Sequence, residues 1–509
     1  MKRNIFFATA AILCGLWILS SCDDFLTEND PNKISVSSYF TEQSDVEKAL
    51  DGAYSLLRSN SCMGEGSTLY TEERSDNTGR LDNQSSSGEP FQFTNFSLLP
   101  SNSYLKSYWD ALYQTINSCN FTLWGAANVT FSDDKVKQNI IAEAKFIRAL
   151  VYFEIVRKWG DAPLVTTYYT TPAEIKAHTE RIKQDVIYGQ IVQDLKDALN
   201  STLPDRQPAG GRGHADKASI TGLLGKVYLT MAATLNSENK TEYLNDAKIY
   251  LTQCYSMRQF GLLKEIPYED VFNVDKKSTC PEIIFQIVYK QGDKDFHSSI
   301  AANNQSKGSH TNSLVNSTGM GTFVNPDLVK EYENDDIRKK WSVEFSNGQQ
   351  AWFITKFRDT SDLAGTLGYG GNDWIILRYA DVILMLAEVN EELGNNQEAI
   401  SYLNQVRERA GLPPYDEAML NTDYKSKYPS LKLAILHERR CELAFENQRW
   451  YDLLRFFQIN DLINYIHSKN QEDYGISNLK NFGTKDIYFP IPYDEWKLDQ
   501  EKMYQNNGY

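Results

Sequence analysis

Beyond its first 21 residues the chain has no apolar run that could cross a bilayer, which takes about 20 mostly apolar residues as a helix. Cysteine is scarce, at seven in 509 residues. With Cys14 and Cys22 set aside, Cys62, Cys119, Cys254, Cys280 and Cys441 are scattered and odd in number, signalling neither a disulfide framework nor a metal site. Histidine is scarcer still: His178, His214, His297, His310, His437 and His467 stand far apart, and no metal ligand set is expected. Cations are outnumbered, with 52 Lys and Arg against 67 Asp and Glu and a net charge of −15. Nucleic acid and anionic lipid, which need clustered cations, are therefore excluded as ligands. No Pro-rich or Gly/Ser linker divides the chain, so one large body with long excursions is expected.

Catalytic motifs are missing as well. No Gly-x-Ser-x-Gly elbow occurs, and Gly210-Gly211-Arg212-Gly213 lacks the strand and spacing of a phosphate loop. His437-Glu438-Arg439-Arg440-Cys441 begins like a zinc-protease helix but has Cys441 where the second histidine belongs. Paired carboxylates for glycoside hydrolysis stay open in principle, yet an abundance of Asp and Glu does not place two at the required separation. No catalytic residue and no cofactor is assigned; calcium is compatible with the composition but nothing indicates it.

What is present begins with a leader. Lys2 and Arg3 precede an apolar run and then Leu19-Ser20-Ser21-Cys22, so residues 1–21 read as a signal peptide. The junction is similar to a bacterial lipobox and makes Cys22 the expected lipidation site. Several acyl chains on one cysteine anchor stably, at about 0.8 kcal/mol per buried methylene. Asp23 and Asp24 follow directly, resembling the signal that sends lipoproteins to the outer face of the outer membrane. Residues 22–33 are polar, contain Pro31 and read as a tether.

Thereafter the period is helical. Phe146, Leu150, Phe153 and Val156 mark a helix over 142–159, ended by Gly160-Asp161-Ala162-Pro163. Further helices are expected over 188–199, 215–231 and 244–257. A helical hairpin pairs 379–393 with 397–410 through Gly394, and another pairs 431–445 with 449–457. Ala149, Ala198, Ala232, Ala247, Ala387, Ala399 and Ala444 recur where helices should cross. The pattern looks tetratricopeptide-like, without a strict repeat period. Loop-rich excursions at about 60–107, 290–325 and 358–373 interrupt it, and a strand is expected over 283–289. Loops on a rigid scaffold are where binding usually resides.

Ordered motifs along the whole chain resemble the SusD/RagB family of surface lipoproteins. They include Cys22-Asp23-Asp24-Phe25-Leu26, Glu143-Ala144 with Arg148-Ala149, Arg378-Tyr379-Ala380-Asp381-Val382, and Arg407 with Arg409-Ala410-Gly411. The most telling run joins Glu438-Arg439-Arg440, Glu442-Leu443-Ala444-Phe445-Glu446, Arg449 and Asp452-Leu453-Leu454-Arg455. The chain closes on Pro490-Ile491-Pro492 and Gln505-Asn506-Asn507-Gly508-Tyr509, with Asn507 where the family commonly has proline. Read physically, Arg439 reaches Glu442 and Glu446 reaches Arg449 at helical spacing, which makes this run a structural clamp between helices.

The resemblance implies a mainly α fold: a helical scaffold of four tetratricopeptide-like hairpins plus a loop-rich ligand-binding region with short strands. The body spans 34–509, with an N-terminal part of about 34–230 and a C-terminal part of about 260–509. It further implies a partner, a SusC-like TonB-dependent barrel that receives captured oligosaccharide. Peptide capture and a ligandless structural lid on the transporter are the alternatives. A sugar offers an apolar ring face and a rim of hydroxyls, so its site needs aromatic and hydrogen-bonding side chains. Candidates are Arg74, Asp76, Asn77, Arg80, Asp82 and Asn83, with Phe91, Phe93 and Phe96, in the first excursion. The second offers Tyr289, Phe296 and His297. Phe91, Phe93 and Phe96 fit equally an alternating strand packed on the body. Trp109, at helical spacing with Leu112 and Ile116, is a core residue, and Trp374 is open to either reading.

Overall fold

A computed structural model describes residues 39–80, 88–235, 238–317, 322–469 and 479–509. The expected leader, Cys22 and its tether lie outside the described residues, as do Asp82 and Asn83. Each helical period becomes a helix, and polar caps fix where several of them start. Asn102 accepts the Leu105 N–H at the head of a helix that follows α1 (Gln43–Leu57) and runs as α2 (Ser103–Asn128). Asp133 starts α3 (Asp134–Trp159), and Gly160, at φ 69°, ends it in a conformation that favours glycine. Then come α4 (Gln184–Leu199), α5 (Lys217–Thr234) and α6 (Lys240–Ser256), with Asp216 capping α5. The C-terminal part contributes α7 (Tyr379–Glu392), α8 (Asn396–Arg409), α9 (Leu431–Glu442) and α10 (Arg449–Phe456).

Helices α1 and α2, α3 and α4, α5 and α6, and α7 and α8 pack as four successive pairs, giving the mainly helical scaffold that was expected. The seven alanines expected at crossings are all buried. Glycine does the same on α5: a Cβ on Gly225 would meet Leu251 of α6 at 2.5 Å, so only glycine lets the two helices approach this closely. Trp109 and Trp374 both belong to the core.

The first two excursions each contribute one strand to a sheet. Strands β1 (Thr78–Arg80), β5 (Thr322–Val324), β6 (Val343–Ser346) and β7 (Ala351–Ile354) form a four-stranded sheet in the order β1-β5-β7-β6. Two small pairs complete the strands: β2 (Ala162–Pro163) with β3 (Arg181–Ile182), and β4 (Ile283–Ile287) with β8 (Trp374–Arg378).

Two expectations need correction. Phe91, Phe93 and Phe96 do not form a strand: Phe91–Thr94 is a single helical turn, and Phe96 follows at φ 57°. All three rings are buried, because the turn drops Phe93 against Tyr70 and Phe489 while Phe96 lies beside Phe482. Nor does the helix that begins at Leu431 run on to Phe445. Helix α9 stops at Glu442, and Phe445 (φ 69°) and Asn447 (φ 60°) turn the chain sharply before α10. The local Arg439–Glu442 and Glu446–Arg449 pairs therefore give way to longer-range ones. Arg439 binds Asp381 and Asp452, each at 2.9 Å, and Arg449 binds Asp76 at 2.6 Å. Arg378 and Arg409 converge on Glu442 and Glu282, and Arg378 also grips Glu446 at 2.7 Å. These charges are buried and paired, a clamp in which Arg378 at the end of β8, Arg409 of α8 and Glu442 of α9 meet Glu282 just before β4.

Candidate ligand-binding cleft

The excursions meet at one depression of about 400 Å³, within the range of small-ligand sites. Three carboxylates hold its walls together. Glu65 accepts the Ser299 N–H at 2.7 Å, the Ile300 N–H at 3.3 Å and the Ser298 hydroxyl, and so caps the short helix Ile300–Asn304 across from it. Burial pushes the Glu65 carboxyl above its ordinary value, and these donors counter only part of that rise. Beside it the Tyr289 hydroxyl donates to the Arg58 carbonyl at 3.2 Å and accepts the Glu65 N–H at 3.1 Å. The first and second excursions are thereby fastened to each other.

Glu72 fastens a third segment. Its carboxylate accepts N–H groups from Phe445 at 2.9 Å, Asn447 at 3.0 Å and the Asn77 amide at 2.9 Å. Burial pushes this carboxyl up to about 7 despite the three donors. The sheet supplies the last wall: the Thr322 hydroxyl donates to Glu73 at 2.9 Å, and Thr322 and Ile354 both line the cleft.

Into this space project Asn60, Ser61, Thr68, Asn303 and Asn304, with Tyr104 exposed at 43 % on the rim. Amide and hydroxyl groups that both donate and accept, beside one open phenol ring, suit a polyhydroxylated ligand. Glu65 and Glu72, saturated by donors from the protein, serve as struts. An internal void of about 60 Å³ walled by Phe146, Leu150 and Trp374 is too small for a sugar ring.

Most of the residues singled out in the sequence support this cleft from behind. The Arg74 guanidinium lies among the rings of Phe96, Trp450 and Phe489, within 5.5 Å of each, and donates to the Asp486 carbonyl at 2.6 Å. Burial works to raise the Asp76 carboxyl, but Arg440 and Arg449 outweigh it and hold the group well below the usual carboxylate range. Asn77 bridges Glu72 and Arg440, and Tyr289, Phe91, Phe93 and Phe96 are buried. Partners remote in sequence draw these polar groups inward, so none of them presents a surface to a ligand. Arg80 ends β1 opposite Thr322, at the cleft wall in backbone register. Phe296 is 44 % exposed with the Arg58 guanidinium 4.6 Å over its ring, and His297 lies 4.5 Å from the Tyr369 ring. Asn60, Ser61, Thr68, Tyr104, Asn303 and Asn304 were missed. The Asn303-Asn304 pair inside a loop-rich excursion was the available signal.

Among the described residues one group has metal-ligating potential: atoms of Glu333, His437 and Glu438 lie within 4.8 Å of one another. Arg407 donates to Glu333 at 2.8 Å and to Glu438 at 3.2 Å, so a guanidinium already supplies the positive charge there. No helix among the described residues is long and apolar enough to cross a membrane.

Two family models match the chain: one described as "Starch-binding associating with outer membrane" over residues 24–229, and one described as the SusD family over residues 342–509. SusD-like protein P2 of Formosa agariphila is 28 % identical, over 97 % of this chain and 98 % of its own length. Among solved structures, a SusD superfamily protein from Parabacteroides distasonis superposes with a TM-score of 0.75 at 23 % identity, covering 94 % of this chain and all of that one. A laminarin-binding SusD-like protein superposes with a TM-score of 0.74 at 24 % identity, covering 92 % of this chain and all of its own.

Proposed function

Because the chain belongs to the SusD-like family, we propose that it is a cell-surface lipoprotein that captures oligosaccharide and delivers it to a SusC-like TonB-dependent transporter. In this reading Cys22 carries the acyl chains that hold the protein at the outer membrane, and the folded body faces the exterior. The observation that carries capture is the open cleft lined by Asn60, Ser61, Thr68, Asn303, Asn304 and Tyr104. A neutral polyhydroxylated chain satisfies such amides and hydroxyls, and the Tyr104 ring offers a sugar face a stacking surface. The laminarin-binding relative of the same fold supports the glycan assignment. In this reading the protein acts by binding alone: a hydrolase would need one carboxyl free to protonate and another free to attack, whereas Glu65, Glu72 and Glu73 on the cleft all accept from the protein's own donors.

Affinity electrophoresis through gels containing soluble starch, laminarin or xylan, with a parallel peptide panel, tests this reading. Retardation by at least one polysaccharide, with no release of reducing sugar, is the expected result. Retention of peptides alone would overturn the ligand assignment.

A further inference from the structure

The hairpin β6–β7 carries aromatic surface that none of the contacts above uses. Its register pairs Val343 with Ile354 and Phe345 with Trp352. Side chains alternate across a strand, so Phe345 and Trp352 share the face of Ile354, a residue that lines the cleft, and Trp352 is partly buried against the core on that face. Two residues along a strand span about 7 Å, so this pair continues the same wall by roughly one sugar unit. The two rings lie 5.2 Å apart, tilted by 60°. Phe345 is 38 % exposed, although β6 is the edge strand of its sheet, where an exposed aromatic invites unwanted pairing.

The opposite face of the hairpin holds this pair in place. Glu344 accepts the Ser309 hydroxyl at 3.2 Å, and Gln349 accepts the Lys307 N–H at 2.6 Å, so the loop that follows Asn303 and Asn304 is tied to the hairpin. The cleft amides and the aromatic pair thus sit on connected, mutually fixed segments. At the hairpin tip Asn347 and Gln350 are exposed, and the Gln350 amide donates to the Asn347 carbonyl at 2.6 Å.

We infer that Phe345 and Trp352 form an outer subsite that stacks one further pyranose ring of a neutral glycan whose inner units occupy the cleft. This inference rests on the glycan reading and adds a length requirement to it. The cleft engages short oligosaccharides unaided, whereas the aromatic pair is reached only by chains that extend past Ile354 and Thr322. An aromatic contact of this kind contributes about 1 kcal/mol, or roughly fivefold in affinity.

The test measures wild-type, Phe345→Ala and Trp352→Ala proteins by calorimetry against oligosaccharides of whichever polymer retards the wild type, from the disaccharide upward. Melting temperatures are taken in parallel, since a cross-strand aromatic pair also holds a hairpin together. Phe345, being exposed, is the variant least able to disturb folding. The expected result is about a fivefold loss for long chains in both variants, no loss for the disaccharide, and a folded protein throughout. Equal affinity of wild type and Phe345→Ala at every length would overturn the outer subsite and leave glycan capture standing. The same factor lost at every length would also overturn it. Failure of the wild type to bind any polysaccharide would overturn both readings.

Discussion

Glu72 and Phe445 lie 373 residues apart in the chain, yet the Glu72 carboxylate accepts the Phe445 N–H at 2.9 Å. Phe445 has φ 69°, as Asn447 beside it has φ 60°, and Glu72 binds both N–H groups. Left-handed backbone at a non-glycine residue costs about 1–3 kcal/mol and persists where its surroundings hold it. One buried carboxylate supplies that hold here, and it places the Phe445 side chain in the cleft wall.

Replacing Glu72 with Gln leaves an amide NH2 facing one of three donors. Stability should fall by about 1–3 kcal/mol, read as a lower urea midpoint. The pH dependence separates this from a general defect. The folded carboxyl sits at about 7 against an ordinary 4.5, so its contribution is fully present below 4.5 and is lost as pH rises through about 7. The stability gap between wild type and Glu72→Gln should therefore be widest in mild acid and narrow as pH passes about 7.

Glu442 behaves in the opposite sense. Burial works against its charge, but Arg409, Arg378 and Arg338 outweigh it and hold the carboxyl below its ordinary value. Its contribution is present above the unfolded value near 4.5 and disappears as pH falls through the folded one. Removing the partner of three buried guanidiniums should cost about 3–5 kcal/mol, so Glu442→Ala should accumulate poorly and unfold in milder acid than wild type by circular dichroism.

Cys62, Cys119, Cys254, Cys280 and Cys441 are free and buried. Burial pushes the Cys62 and Cys280 thiols up to about 11 and Cys254 up to about 12, so thiolate is scarce at neutral pH. A thiol reagent should label none of the five until denaturant is added, and reductant should leave the melting temperature unchanged. Rapid labelling of the native protein would contradict the packing described.

Asp76 was singled out as a ligand contact and is instead the counter-ion of Arg449 and Arg440. Asp76→Ala should lose about 3 kcal/mol of stability. The fraction that folds should bind glycan as wild type does, a combination that calorimetry and denaturation together would separate.

The helical scaffold was legible because its apolar period and its glycine and proline stops are local signals. Gly160, Gly394 and Gly411 end helices where the sequence places them, each at positive φ. The excursions were legible by composition, and the cleft does form where the first two meet. Which of their residues face outward was not legible. Asp76 and Asn303 have similar loop surroundings in sequence, and what separates them is Arg449, far along the chain. The break before Arg449 was legible, but not its start at Glu442 nor the left-handed backbone at Phe445, whose support, Glu72, lies at the other end of the protein. The β6–β7 hairpin lies outside the three excursions, although Asn347-Gly348 between alternating apolar residues was a usable hairpin signal.

Glycan capture by the cleft is tested most directly by one calorimetric comparison. Oligosaccharide from the retained polymer is titrated into wild type and into a Tyr104→Ala, Asn304→Ala double variant of matched melting temperature. Loss of one stacking surface and one amide contact should weaken binding by about tenfold or more. Unchanged affinity in the folded double variant would contradict the assignment of this cleft as the site of capture.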